Sequence, residues 1–278
     1  MNFPIEFTKM SGTGNDFILI DHRTPFLTKE EMSDFVRAVC ERRVSVGADG
    51  LIFIEHSEAA DFRWQFLNAD GSWAEMCGNG ARCAARFAYT RGIAPARLRF
   101  ETVAGLIEAE VTGQSVKLKM TPPAGLRLHE KLQVNGQEQV VYSLNTGVPH
   151  AVLFVEDIQQ APVLALGREL RFHEHFQPAG TNVNFVQQQT DNTLIVRTYE
   201  RGVEGETLAC GTGAVAAAII AGLLGQVRSP VAVTTSGGEQ LTIHYSLVGQ
   251  EIAEVYLEGP ASFIYEGQLH EESLPKKS

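Results

Sequence analysis

The chain has 278 residues, of which 44% are hydrophobic and 20% charged, and its formal net charge is −10 at pH 7. This length suits one large domain or two of about 140 residues each, and the acidic balance argues against a nucleic-acid partner. The first ten residues lack a basic segment followed by an apolar stretch, and the longest apolar run, residues 214–224, is too short to span a bilayer. We therefore expect a cytoplasmic protein with no membrane partner.

The first half of the chain consists of short apolar runs and two helical segments. Thr28 and Glu31 have the spacing of a capping box, which opens the first helix. The Ala-rich segment after Cys77 is predicted to be helical, and Arg82, Arg86 and Tyr89 are expected to keep one of its faces polar or wet. In chain order, the first helix is predicted at 28–42, and the strands at 5–10, 17–21, 51–55, 62–67, 98–102, 106–111 and 116–120.

The second half repeats this order. The helix predicted after Cys210 is apolar on all sides, so it must be buried on all sides. We therefore predict an α+β fold of two pseudo-symmetric domains, each a sheet or barrel wrapped around a central helix. The remaining predicted elements are a helix at 163–172 and strands at 140–144, 151–155, 184–187, 194–199, 231–235, 241–245 and 254–257.

An offset of 133 residues relates the two halves. The run Cys77-Gly78-Asn79-Gly80-Ala81 resembles Cys210-Gly211-Thr212-Gly213-Ala214, and the same offset pairs Asn68 with Arg201. Matches in one register over some 90 residues indicate an internal duplication. We expect an N-terminal half of residues 1–123, a C-terminal half of residues 124–278, and an active site in the cleft between them. Further matches at this offset are Thr13-Gly14 with Thr146-Gly147, Thr102 with Thr235, and Gly105 with Gly238.

A cysteine followed by glycines at a helix start indicates acid/base chemistry. The first N–H groups of a helix have no partners within it, and together with the helix dipole they stabilise a thiolate or a bound carboxylate. We expect this to lower the pKa of each thiol toward neutrality. Two matched thiols on opposite sides of one ligand suit inversion at a carbon that bears an acidic hydrogen. Cys77 and Cys210 are therefore the predicted proton-transfer pair.

The other two cysteines and the metal question have simpler interpretations. Cys40 and Cys83 have no helix-start context like that of the predicted pair, and we expect both to be core residues. The cysteine spacings form no C-x-x-C pair, so no metal site is predicted.

Several polar residues near the two cysteines have a functional and a structural interpretation, and the sequence leaves both open. Asn15 and Asn68 are candidate ligand contacts or turn residues. Glu200 and Arg201 are candidate ligand contacts or a surface ion pair. His150 is a candidate site residue or a hydrogen-bonded structural histidine.

These residues lie in stretches that resemble the diaminopimelate epimerase family. The stretches follow one another in the order and spacing of that family from near the N-terminus to residue 213. They are Lys9-Met10-Ser11-Gly12-Thr13-Gly14-Asn15-Asp16-Phe17, Phe66-Leu67-Asn68-Ala69-Asp70-Gly71, Cys77-Gly78-Asn79-Gly80-Ala81-Arg82-Cys83, Asn145-Thr146-Gly147-Val148-Pro149-His150, Gly180-Thr181-Asn182-Val183-Asn184, and Tyr199-Glu200-Arg201-Gly202 with Ala209-Cys210-Gly211-Thr212-Gly213.

The resemblance implies cofactor-independent and metal-free epimerisation of LL-2,6-diaminopimelate to the meso form, in lysine and peptidoglycan-precursor synthesis, by a homodimer. It implies that Cys77 and Cys210 are the acid/base pair and that His150 and Glu200 orient the reacting centre. The substrate contacts it implies are Asn15, Asn68, Gly78, Asn79, Asn182, Glu200, Arg201, Gly211 and Thr212.

The chain departs from the family pattern at a few positions. Many members have Gln where this chain has Gly50 and Asn where it has Val148, and one extra residue lies between Arg201 and Cys210. These changes remove polar contacts to the substrate but leave the cysteine segments intact. Since Asn68, Asn182 and Arg201 are kept, we expect diaminopimelate to remain the substrate.

Three other functions remain open at this point. A related two-cysteine racemase would act on proline, hydroxyproline or another amino acid. A redox protein would use a disulfide between Cys77 and Cys210, although redox pairs usually lie close in sequence. A non-catalytic module would use the helix starts to bind carboxylates. A pyridoxal enzyme is disfavoured, because no lysine lies in a recognisable phosphate-binding context.

Overall fold

Strands dominate the structure, a computed structural model that describes residues 1–248 and 251–274. The chain divides into a first unit, Met1–Leu118 with Gly259–Ser278, and a second unit, Lys119–Glu258. The first junction lies close to the expected boundary after residue 123. The second differs from the expected division, because the end of the chain groups with the N-terminal half instead of the C-terminal half.

The first unit contains eight of the described strands and two helices. Its strands are hydrogen-bonded in the order β17-β1-β2-β3-β4-β5-β6-β7, and the β2–β3 and β4–β5 pairs are parallel while the other pairs are antiparallel. Its elements are β1 (Ile5–Gly12), β2 (Asn15–Asp21), α1 (Lys29–Val39), β3 (Gly50–Glu55), β4 (Phe62–Asn68), α2 (Gly78–Thr90), β5 (Arg97–Thr102), β6 (Gly105–Thr112), β7 (Ser115–Lys119) and β17 (Ser262–Leu269).

The second unit has the order β8-β9-β10-β11-β12-β14-β15-β16, and β13 forms a short antiparallel pair with β12. Here the β10–β11 and β12–β14 pairs are parallel and the others in the order are antiparallel. Its elements are β8 (Ala124–Val134), β9 (Gln137–Asn145), β10 (Pro149–Phe154), α3 (Val163–Arg171), β11 (Asn182–Thr190), β12 (Thr193–Glu200), β13 (Gly205–Thr207), α4 (Gly211–Leu223), β14 (Val231–Thr235), β15 (Gln240–Val248) and β16 (Glu251–Pro260).

The two strand orders have the same sequence of parallel and antiparallel pairs, which confirms the predicted pseudo-symmetric α+β fold. Helices α1 and α3 each connect the first parallel pair of their unit, and α2 and α4 each connect the second. β17 occupies in the first unit the place that β8 occupies in the second, and it pairs with β1 from Ile5↔Leu269 to Ser11↔Ser262. This pairing is why the C-terminal segment belongs to the first unit.

Helix α4 is buried on every side, as its composition predicts. All residues from 213 to 221 are buried, and the apolar cluster around them includes side chains of β9, β10, β11, β12, β14, β15 and β16. Gly222 allows the closest approach, since a Cβ at this position would overlap the Tyr245 hydroxyl. Hence the second unit is a sheet wrapped around a central helix.

Helix α2 differs from the expectation of a polar or wet face. Tyr89 is 43% exposed, but the Arg82 side chain is fully buried. Hydrogen bonds replace water around its guanidinium, which donates to Thr13 Oγ1 at 2.5 Å, Asn79 Oδ1 at 2.8 Å and the Pro260 carbonyl at 3.2 Å. A buried charge needs such partners, so Arg82 is part of the core of this unit.

The other predicted helices and strands are present, but most of their bounds differ from the predicted ones. The capping box is present, with the Thr28 N–H donating to Glu31 Oε2 at 2.9 Å. The first helix ends earlier than predicted, at Val39, and the sequence analysis missed β8, β13 and β17. β8 and β17 have many exposed side chains and lack a long apolar run, so their pairing partners stabilise them more than their own composition. Among the described residues, no helix combines the length and hydropathy that a membrane crossing requires.

The burial of α4 predicts a large cost for any cavity there. Ile219 is fully buried among the surrounding strands, so Ile219→Ala is expected to lower the free energy of unfolding by about 2–5 kcal/mol. Urea denaturation followed by circular dichroism measures this change. Leu164→Ala on α3, where Leu164 is 62% exposed, is the matched control and should change stability by no more than about 0.5 kcal/mol. Equal effects of the two variants would contradict a central position for α4.

Candidate active site

Cys77 and Cys210 occupy the same position in the two units. Each is the residue directly before a helix, with φ −145° and ψ 117° at Cys77 and φ −127° and ψ 102° at Cys210. Both side chains are half-buried, and neither cysteine is in a disulfide. Cys40 and Cys83 are buried apolar residues, as expected.

Both helix starts leave backbone donors without partners inside the helix. The first helical hydrogen bonds run from the Ala81 N–H to the Cys77 carbonyl at 2.8 Å and from the Ala214 N–H to the Cys210 carbonyl at 2.9 Å. The N–H groups of the three residues after each cysteine thus lack an intrahelical acceptor. They provide positive partial charge beside each thiol, which suits a carboxylate.

In the first unit, the structure brings Asn15 and Asn79 into direct contact. Asn79 Nδ2 donates to Asn15 Oδ1 at 2.7 Å, and Asn15 Nδ2 donates to Asp49 Oδ2 at 3.0 Å. Arg82 donates to Asn79 Oδ1 at the other end. The chain of bonds runs from a cation to an anion with every donor facing an acceptor, so it sets the orientation of both amides.

A network of charges holds Asp49 in place. Arg42 donates to Asp49 Oδ1 at 2.9 Å and to both oxygens of Asp16, and Lys9 forms an ion pair with Asp16 at 2.8 Å. Burial alone would raise the pKa of Asp16, but the hydrogen bonds and charges of Arg42 and Lys9 outweigh it and lower this pKa to about 2. The carboxylate therefore stays ionised and keeps the loop before β3 against β2.

The remaining predicted contact of this unit, Asn68, lies exposed at the end of β4. Its Nδ2 donates to Ser72 Oγ at 3.0 Å within the turn that follows the strand. The strand register places it opposite Gly50, which in turn pairs with Phe17 of β2. Asn68 is thus at the same end of the sheet as the start of β2, where Asn15 lies.

Packing explains why a glycine occupies position 50. A Cβ at this position would lie 2.7 Å from the Leu67 carbonyl oxygen and 2.8 Å from Phe66 Cε2, which is closer than atoms can approach without a shift. The Phe66 ring also packs edge-on against Phe17, with ring centroids 5.9 Å apart. An apolar ring therefore fills the space next to Gly50. The other departure, Val148, is half-buried in the turn before β10.

In the second unit, Asn182 and Arg201 come together. Asn182 Oδ1 accepts from the Arg201 backbone N–H at 2.8 Å, and Asn182 Nδ2 donates to the Pro149 carbonyl at 3.2 Å. The Arg201 side chain donates to the Ala179 carbonyl at 2.9 Å. Asn182 therefore ties the starts of β10 and β11 to the end of β12, which brings His150, Asn182 and Glu200 to one end of this sheet.

The register corrects one pairing derived from the 133-residue offset. Phe17 and His150, related by the offset, pair with Gly50 and Asn182, so Gly50 and Asn182 are equivalent. The next residues, Leu51 and Val183, pair with Leu67 and Tyr199, so Leu67 and Tyr199 are equivalent too. Asn68 is then equivalent to Glu200, and the pairing of Asn68 with Arg201 is wrong by one residue. The offset changes because the segment from this strand end to the cysteine is one residue longer in the second unit.

The acid/base state of Cys210 differs from the expectation of a lowered pKa. Burial, followed by the nearby charge of Glu200, raises the pKa of Cys210 to about 12. Hydrogen bonds from Thr212 and from the Gly213 N–H act in the opposite direction but are smaller. The pKa of Glu200 is itself raised by burial, against a hydrogen bond from Thr207. In this site the loss of water outweighs the helix start.

Residues that the sequence analysis did not select also belong to these groups. Asp49 and Arg82 orient Asn15 and Asn79, and Asn184 hydrogen-bonds to His150 at 3.1 Å. Arg82 and Asn184 lie inside the stretches that carry the resemblance, which was the available signal. Asp49 offered none, because its partners come from other segments. No group of three or more candidate metal ligands lies within residues 1–248 and 251–274.

Known proteins resemble this chain over almost its whole length. The family model described as diaminopimelate epimerase matches residues 7–125 and 142–264. A diaminopimelate epimerase of Aquifex aeolicus (strain VF5) is 53% identical, and the match covers 97% of this chain and 99% of that protein. A diaminopimelate epimerase of Hydrogenobaculum sp. (strain Y04AAS1) is 47% identical, with 94% and 97% covered.

Solved structures share the fold at low identity. A phenazine biosynthesis protein of the PhzF family from Bacillus anthracis superposes with a TM-score of 0.71 at 15% identity, over 97% of this chain and 100% of that one. A hydroxyproline epimerase from Agrobacterium vitis superposes with a TM-score of 0.66 at 17% identity, over 96% and 91%. Family-model coverage and identities near one half over almost the whole length decide the assignment: the chain is an isomerase and belongs to the diaminopimelate epimerase family.

Proposed function

We propose that the chain interconverts LL- and meso-2,6-diaminopimelate without a cofactor, and that Cys77 and Cys210 transfer the protons. The observation that carries this proposal is the repeated helix start, in which a half-buried cysteine outside any disulfide is followed by backbone N–H groups that have no acceptor within the helix. The family assignment supplies the substrate, which serves lysine and peptidoglycan-precursor synthesis.

The reaction needs one proton removed and one returned. The thiolate of one cysteine takes the α-hydrogen as a proton, and the electron pair of the broken C–H bond moves into the α-carboxylate to form an enediolate. The thiol of the other cysteine then gives its proton to the opposite face of the same carbon. The overall proton count is unchanged, and the two cysteines exchange their protonation states.

The charge that develops on the carboxylate is what the site must stabilise. The N–H groups of Gly78, Asn79, Gly211 and Thr212 have no acceptor within their helix, and they are suitable donors because they are fixed in place before the reaction and point along the helix axis. Gly78 leaves the backbone open to a ligand, since no heavy atom lies within 4 Å of its absent Cβ, whereas a Cβ on Gly211 would lie 2.9 Å from Leu257 Cδ1. We propose these groups as the carboxylate-binding elements.

The raised pKa of Cys210 suggests its role in the resting protein. With a pKa of about 12 the thiol is protonated at neutral pH, so Cys210 is a proton donor in the resting protein. Glu200 contributes by its position beside Cys210, since its charge favours the protonated thiol. His150 and Glu200 are proposed to orient the reacting centre.

The distal amino and carboxylate groups of the substrate would be bound by the remaining polar residues. Among the described residues, Arg201 uses one of its five N–H donors, on Ala179, which leaves the others for a carboxylate. In the Asn182 side chain, Oδ1 already accepts from the Arg201 backbone and one hydrogen of Nδ2 is donated to the Pro149 carbonyl. One Nδ2 hydrogen is left for the substrate. Asn15 and Asn68 are the proposed contacts of the first unit.

A cytoplasmic homodimer is part of the same proposal. Sedimentation equilibrium of the full chain should give about twice the monomer mass of 30.4 kDa. A mass that stays at the monomer value over the working concentration range would remove the dimer from the proposal without affecting the chemistry.

Exchange of the substrate α-hydrogen in deuterated water tests the two-cysteine chemistry. The purified chain, under reducing conditions and without added cofactor, should invert LL-diaminopimelate and incorporate deuterium at the α-carbon, as followed by NMR. Cys77→Ser and Cys210→Ser should each lower the inversion rate by about 10²–10⁴-fold, because a hydroxyl is a much weaker acid than a thiol.

Cys40→Ser serves as the matched control, since Cys40 is a buried core residue at the C-terminal end of α1; it should retain inversion. If wild type inverts proline or hydroxyproline instead, the substrate assignment is wrong and the two-base chemistry stands. If either active-site serine variant inverts at the wild-type rate, the pair is not the catalytic pair.

The raised pKa of Cys210 predicts slow alkylation. At pH 8 a thiol with a pKa of about 12 is a thiolate about once in 10⁴ molecules, so carbamidomethylation by iodoacetamide should be about 10³-fold slower than in the urea-unfolded chain. The rate should rise about tenfold per pH unit between pH 8 and pH 10. Peptide mass spectrometry measures it at Cys210 directly. A fast, pH-independent reaction would mean that the thiolate is already present.

A further inference from the structure

His150, Asn184 and Thr198 form a buried polar chain beneath the first turn of α4. Asn184 Nδ2 lies 3.1 Å from His150 Nδ1 and 3.0 Å from the Ala151 carbonyl, and Thr198 Oγ1 donates to Asn184 Oδ1 at 3.0 Å. Asn184 also lies against Gly213, because a Cβ on Gly213 would overlap Asn184 Oδ1 and lie 3.3 Å from Cys210 Sγ. The chain is therefore directly next to the helix start that carries Cys210.

The hydrogen bonds of Asn184 decide which His150 nitrogen carries the proton. The Ala151 carbonyl can only accept, so it must face the amide nitrogen of Asn184 and not its oxygen. The second hydrogen of that nitrogen then points at His150 Nδ1, which must accept it. Since Nδ1 has no proton, the neutral ring carries its proton on Nε2.

The Nε2–H group of His150 is a buried donor without an acceptor among the residues that the structure describes. Burial, together with the positive charge of Arg201, lowers the pKa of His150 to about 3, so the ring is neutral at physiological pH. An unsatisfied buried donor costs about 1–3 kcal/mol. A ring that keeps such a donor, and is hydrogen-bonded to an asparagine beside the start of α4, has it ready for an anionic acceptor.

The positions equivalent to His150, Asn184 and Thr198 are apolar in the first unit, so packing at this place does not need polar side chains. By strand register His150 is equivalent to Phe17, Asn184 to Ile52, and Thr198 to Phe66. There, Ile52 and Phe17 lie against Gly80, which is equivalent to Gly213. An apolar trio thus supports the helix start at Cys77, and a polar trio supports the one at Cys210.

We propose that Asn184 is a positioning residue that fixes His150 as the neutral imidazole protonated at Nε2, so that His150 acts as a hydrogen-bond donor at the Cys210 site and not as a base. The donor role rests on the proposed function, whereas the protonation of the ring does not. The acceptor is an anion of the reaction, a substrate carboxylate or the Cys210 thiolate. Asn184 acts on this acceptor through His150.

Nitrogen-15 NMR of the full chain, labelled at histidine and measured at pH 7.5 without substrate, tests the assignment. His150 should have a protonated Nε2 and an unprotonated Nδ1. His22 provides an internal reference of the opposite form, because its Nε2 accepts the N–H groups of Phe26 and Leu27 and its Nδ1 faces Glu55 at 3.0 Å. Signals lost in His150→Gln and in His22→Gln assign the two rings. A proton on Nδ1 of His150 in wild type would overturn the proposal.

Asn184→Asp tests the positioning role. A carboxylate can only accept, so the proton of His150 should move to Nδ1, and kcat/KM for diaminopimelate should fall about 10²-fold, mainly through kcat. Thr198→Val is the matched control: it removes the hydroxyl but leaves both bonds of Asn184 Nδ2, and the Nε2–H form should remain. If His150 keeps the Nε2–H form in Asn184→Asp, Asn184 does not set it. If the ring behaves as expected but wild type does not turn over diaminopimelate, the proposed substrate fails and the positioning role stands.

Discussion

The N–H groups at the start of a buried helix, which have no acceptor within the helix, are the constraint on which this structure depends. A helix surrounded by strands can bury its side chains, but its first backbone donors have no partners along the helix. In both units that start carries a cysteine and glycines, at the end of the sheet where the parallel strands β2, β3 and β10, β11 begin. Nearly every predicted site residue follows from this placement, because strand starts and strand ends are where polar side chains lie close to those donors.

The duplicated halves have diverged at equivalent positions. Gly50 in the first unit is equivalent to Asn182 in the second, and Phe66 is equivalent to Thr198. Phe66 fills the space beside Gly50, so a side chain there would need the ring to move. In the second unit the smaller Thr198 accompanies Asn182 and the buried chain to His150. The side chains at these equivalent positions are therefore apolar in the first unit and polar in the second, although the strand arrangement is the same.

Burial raises the pKa of the Cys210 thiol and its position at a helix start lowers it, and burial is the larger effect. The N–H groups of Thr212 and Gly213 stabilise a thiolate, but desolvation and the Glu200 charge disfavour it more. The same desolvation keeps His150 neutral. A desolvated site suits a thiol that holds its proton until a substrate carbanion requires it, because the charge then forms on the substrate instead of on the resting protein.

The sequence by itself determined the duplication, the α+β class, the burial of α4, the two cysteines before helices and the family, because each depends on local pattern or on motifs read along the chain. It did not determine the membership of β17 in the first unit, since strand pairing joins residues more than 240 positions apart, such as Ile5 and Leu269. The buried state of Arg82, the raised pKa of Cys210, and the equivalence of Asn68 with Glu200 were likewise decided by tertiary structure. Burial, hydrogen-bond partners and register depend on atoms brought from distant segments, and no local pattern contains them.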